Sequence, residues 1–99
     1  MKVVNNNQTF FVDWMYSPNA SNATSVDCVL RNKEGDILNT ARINRHKNDV
    51  HDKEKARRYS LGKLLVTIAP GPEGKQTRTD FWNAYLKRNE VKKTDTELV

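Results

Sequence analysis

Residues 25–32 (SVDCVLRN) alternate in polarity, with Val26, Cys28 and Leu30 on one side and Asp27, Val29 and Arg31 on the other. Lys33-Glu34-Gly35-Asp36 follows as a tight turn whose glycine can take a positive φ. Residues 37–43 (ILNTARI) then run back. This pattern is a β-hairpin, and it commits the chain to an antiparallel sheet. A further strand is expected over residues 9–16 (TFFVDWMY), which are aromatic and β-branched. Residues 17–24 (SPNASNAT) between the two are loop chemistry throughout. Residues 1–8 are polar and are expected to fray.

The second half of the chain changes period. Asp52 can cap a helix that begins at Lys53. Leu61, Leu64, Leu65 and Ile68 then recur at i, i+3, i+4 and i+7, the spacing of one helical face. Two prolines and two glycines in residues 70–74 break that helix. Residues 77–89 predict a second, shorter helix, with Thr77 and Asp80 as a variant capping box and Phe81, Trp82, Tyr85 and Leu86 as its apolar side. Residues 90–99 are expected to be a disordered tail. The expectation is therefore one α+β domain over residues 1–89, a small antiparallel sheet of about three strands packed by one long and one short helix.

Length and charge narrow the function. Ninety-nine residues bury one modest core, which excludes a two-domain cofactor enzyme or a TIM barrel. The net charge of +5 is concentrated: residues 42–63 hold eight bases and three acids, and the rest of the chain is balanced. Such a block favours phosphates, nucleic acid or an acidic protein surface. Within it, Arg45, Lys47, Arg57, Arg58, Tyr59 and Lys63 are the candidate partner-binding or anion-binding residues. Paired arginines offer fork-shaped donors, and Tyr59 lies opposite Leu61 on the helix, where it is exposed. The competing structural role is an internal network in which Glu54 pairs with Arg58 one turn on.

Catalytic and cofactor chemistry is not apparent. Gly74-Lys75-Gln76-Thr77 departs from a phosphate loop, because Ala69 stands at the first glycine position and a helix precedes it. His46, His51, Asp49 and Cys28 match no metal-ligand spacing. A single cysteine allows no internal disulfide. No apolar run is long enough to span a membrane, and the first residues show no apolar signal region, so the expected location is the cytoplasm. No cofactor and no enzymatic activity are expected.

The run Asp49-x-x-x-Lys53-Glu54-x-Ala56-Arg57-Arg58-x-Ser60-Leu61-x-Lys63-x-Leu65 resembles a segment of small, mostly uncharacterised phage and prophage proteins. In those, a β-hairpin ends in Ala-x-Cys, a Lys-x-x-Gly-Arg-x-x-Ser-Leu helix follows, and a Trp-x-x-Tyr helix comes near the end. Ala41, Arg78, Trp82 and Tyr85 match; Ile43, His51 and Ala56 depart from the usual Cys, Phe and Gly. The resemblance implies a phage origin and an anti-defence or host-takeover role. The leading expectation is a non-enzymatic accessory protein that binds and modulates a host protein or protein–nucleic-acid complex. The alternatives are a direct binder of DNA or RNA and a sponge for phosphate-bearing signal nucleotides. A homodimer is also expected if the aromatic strand lies at a sheet edge.

Overall fold

The computed structural model describes residues 1–45 and 52–98, with side chains through residue 88. Four strands and two helices follow one another: β1 (Lys2–Asn5), β2 (Gln8–Ser17), β3 (Ser25–Asn32), β4 (Ile37–Asn44), α1 (Lys53–Ile68) and α2 (Lys75–Leu98), with a 3₁₀ turn at Pro72–Gly74 between the helices. The fold is α+β, and the strands form one antiparallel meander in the order β1-β2-β3-β4.

The sheet has four strands because residues 1–8 do not fray. Lys2–Asn5 pairs with β2, placing Val3 opposite Phe10 and Asn5 opposite Gln8. The connection is Asn6-Asn7, both at positive φ (51° and 63°). Asparagine tolerates that left-handed region better than other non-glycine residues, so two of them close a tight hairpin. This extra strand also moves the aromatic strand inward. β2 is central, the edges are β1 and β4, and the expectation of an aromatic edge strand is corrected.

One sheet face carries the core. Val3, Val12, Cys28, Leu30 and Ala41 from the strands meet Leu61, Leu64, Leu65, Phe81 and Tyr85 from the helices. Truncating a leucine in such a cluster costs about 2–5 kcal/mol. Phe10 tilts against Phe81, and Tyr85 meets the rings of both Trp14 and Trp82 edge-on. Leu86, expected on the apolar side of the second helix, is instead exposed.

The helix ends follow local chemistry. The Asp52 side chain accepts from the Lys55 backbone N–H and caps α1 as the sequence implies. After α1 the chain turns sharply at buried Gly74, where a Cβ would collide with the Ala69 carbonyl. Arg78 clamps this turn by donating to the carbonyls of Ala69 (2.6 Å) and Gly71 (2.7 Å). With the 3₁₀ turn leading straight into α2 at Lys75, Thr77 is already inside the helix and caps nothing. Asp80 instead accepts from Asn5 Nδ2 and Gln76 Nε2, both at 2.8 Å, and ties β1 to α2. α2, not α1, is the longer helix. Residues 90–98, expected from the sequence to be tail, fall within α2, and their side chains lie outside the described residues.

Candidate functional site

The basic block divides between two sides of α1. A helix turns about 100° per residue. Arg57 therefore faces inward with Leu61 and Leu64, and Arg58 sits at the margin. Lys55, Tyr59 and Val66 line the outer face, with Lys63 on its other flank.

Arg57 is held within the fold by its partners. Its side chain is 20% exposed, and its Nη2 meets Glu54 Oε2 at 3.0 Å while Nη1 donates to the Tyr16 hydroxyl at 3.3 Å. Its carbonyl accepts from Trp14 Nε1 and from the buried Ser60 hydroxyl. Burial works against the guanidinium charge, but the hydrogen bonds to Tyr16 and Glu54, with the Tyr85 hydroxyl close by, outweigh it and hold Arg57 more firmly protonated than usual. Glu54 is kept below its ordinary range by Tyr85 first and by Arg57 next. The Tyr85 phenol is pushed up by burial and by the Glu54 carboxylate. The Tyr85 hydroxyl lies near Glu54 and Arg57, but neither it nor Arg57 Nε makes a well-formed hydrogen bond. The Arg88 guanidinium lies over the Trp14 ring, 5.7 Å from its centroid. The cluster joins both helices to β2, and with Glu54 held ionised and Tyr85 held protonated it is poised for neither acid nor base work near neutral pH.

The remaining candidates are spread out. Arg58 is exposed and pairs with Glu54 at 3.1 Å. Lys63 Nζ donates to the Arg42 carbonyl at 2.7 Å, and so covers a backbone acceptor on the edge strand β4. Arg45 Nη2 donates to Asn22 and its N–H to the Thr24 carbonyl, which pins the loop before β3. Arg45 shares a small cleft of about 40 Å³ with Asp52 and Ala56. Ala56 points about 160° away from Arg58 around the helix, so Arg45 and Arg58 lie on different sides of α1. Lys47, with His46, Asp49 and His51, lies outside the described residues.

A continuous outer stripe remains on α1. Tyr59 is 61% and Val66 66% exposed, among Lys55, Arg58 and Lys63, all exposed. No acid occupies this stripe; Glu54 lies beyond its Arg58 margin. Tyr59 was legible from its phase against Leu61. Val66 and Lys55 were missed, though they share that phase. Among the described residues no group of three or more metal-ligating side chains comes together, and no helix is long and apolar enough to cross a membrane.

Fold and site define a small α+β protein with one helix-covered sheet face and a basic, partly apolar helix surface. Comparison with known proteins adds no relative: no family model matches the chain, and neither a curated protein nor a solved structure is significantly similar.

Proposed function

We propose that this chain is a non-enzymatic phage accessory protein that docks, in the host cytoplasm, on an acidic surface of a host protein or protein–nucleic-acid complex and modulates or inhibits it. The observation that carries the reading is the outer stripe of α1: two exposed apolar side chains, Tyr59 and Val66, among three exposed bases, of which Arg58, at the margin, is paired with Glu54. Single exposed apolar side chains are ordinary on a solvated helix, but two on one face among bases also suit an interface, which uses such groups as anchors and flanking charge to steer encounter. The docking set is Lys55, Arg58, Tyr59, Lys63 and Val66. Arg57 belongs to the fold. The phage origin rests on the sequence resemblance.

The test is capture from bacterial lysate with the tagged protein as bait, over a salt series, beside an Arg58→Glu/Tyr59→Ala variant. A protein retained at low salt, released as salt rises and lost with the variant is the expected result, with unchanged circular dichroism as the control. Short duplex and single-stranded DNA serve as parallel probes. A DNA complex whose affinity falls by about 0.9 log units per log unit of salt for each phosphate contact would replace protein docking with direct nucleic-acid binding.

A further inference from the structure

The second face of the sheet has no cover. Both helices pack against the face that carries Val12, Cys28 and Leu30. The opposite face presents Val4 from β1, Phe11 and Met15 from β2 and Val29 from β3, and no described element lies over it. Val4, Phe11 and Met15 are exposed, while Val29 at the centre is only 2% exposed. The side chains around Val29 therefore already form a packed layer.

The charges on this face cancel. Arg31 pairs with Asp13 across β2 and β3 at 3.4 Å. Arg42 holds Asp27 across β3 and β4 through two bonds, of 2.7 and 3.0 Å. The Asp27 carboxyl is lowered by that hydrogen bonding. Only Lys2, in register with Phe11 at the edge, adds charge. The face thus combines exposed apolar side chains with matched ion pairs, and most of the excess of a chain of net charge +5 sits elsewhere.

We propose that this face is the interface of a symmetric homodimer, in which two copies stack sheet on sheet. Three considerations choose a second copy over a different partner. The face is self-complementary in charge, with two acids and two arginines already matched, so an identical face meets it without repulsion. The excess of bases lies mostly on α1, which packs on the opposite face, so stacking through this face keeps it away from the partner's. The size also suits: four strands about 4.8 Å apart and about eight residues long offer roughly 500 Å² in projection. Two such faces bury about 1,000 Å², near the lower bound of a specific interface. Aligned sheets pack about 10 Å apart through interdigitating side chains of this kind. The dimer leaves both α1 stripes facing outward, and it does not depend on what they bind.

Sedimentation equilibrium across the micromolar range is the experiment. The wild-type mass should climb from 11.4 kDa toward twice that value with concentration. High salt should leave the association intact or strengthen it, because apolar burial drives it. Phe11→Thr combined with Met15→Gln should weaken dimerisation about tenfold or more, a loss of about 1.4 kcal/mol or more, with circular dichroism unchanged because both side chains lie outside the core. Lys55→Gln with Arg58→Gln should dimerise as the wild type does. A wild type that stays at monomer mass throughout overturns the proposal. So does a dimer that salt dissociates, or one that the Phe11/Met15 variant forms equally well.

Discussion

Arg57 keeps its charge inside the fold, while Arg58, one residue on, keeps its own in water. The difference is 100° of helical rotation, and it predicts opposite mutant behaviour. Arg57→Ala removes the partner of Glu54 and Tyr16 in a half-buried setting and should lower stability by about 2 kcal/mol. Arg58→Ala, at an exposed pair, should change it by less than about 0.5 kcal/mol. Urea unfolding of the two variants checks both. The same cluster sets a pH dependence. Glu54 has a folded-state pKa below its ordinary 4.5, so its contribution is complete above that value and is lost as pH falls through the lower folded-state value. Glu54→Gln should therefore flatten part of the acid limb of a stability–pH curve, and a limb left unchanged would show that other carboxylates carry it. Cys28 gives a further residue-scale prediction. It is fully buried, and burial, with Asp13 adding to it, pushes its thiol up to about 12. The native protein should resist a thiol reagent at pH 8 and react with one equivalent on unfolding.

The elements were legible where hydrophobic period and capping agree. Alternation placed Ser25–Asn32, and the Asp52 cap with the Leu61–Leu64–Leu65–Ile68 spacing placed the start and face of α1. β1 was illegible for a physical reason: four residues that run into three asparagines, with only Val3 and Val4 apolar, carry little signal, and their strand identity comes from pairing with β2. The turn decides that pairing. Asn7→Val, a β-branched residue forced to positive φ, should cost about 1–2 kcal/mol, whereas Asn7→Gly should be neutral or slightly stabilising. Equal thermal melts for the two would mean that Asn6-Asn7 does not set the hairpin. The break before α2 was legible as a break and misleading as a cap, because the 3₁₀ turn and the Arg78 clamp start the helix two residues before Thr77. At the centre of that break, Gly74→Ala should destabilise by about 1–3 kcal/mol, since the added methyl meets the backbone carbonyl of Ala69 and cannot rotate away. The candidate site was legible in composition and only half legible in geometry. Charge counting found the block, but which of its arginines face water depends on how α1 sits against Trp14 and Tyr85.

At the scale of the molecule, function turns on how charge is distributed over faces. One sheet face is neutral by internal pairing, the other is covered by helices, and the outer side of α1 collects bases and apolar groups without an acid. Net charge alone would draw any anion weakly to the whole surface, whereas a clustered face concentrates the potential where an acidic partner can use it. The two possibilities separate by position at constant charge. Lys55→Gln/Arg58→Gln/Lys63→Gln removes three bases from α1, and Lys2→Gln/Lys33→Gln/Lys87→Gln removes three exposed bases elsewhere, so the variants share one net charge. On an immobilised polyanion such as heparin, the first variant should elute at clearly lower salt than the second, and the second close to the wild type. Equal elution would mean that total charge, not the α1 face, governs anion affinity. It would also remove the electrostatic steering that the proposed docking relies on, leaving Tyr59 and Val66 to be explained without it.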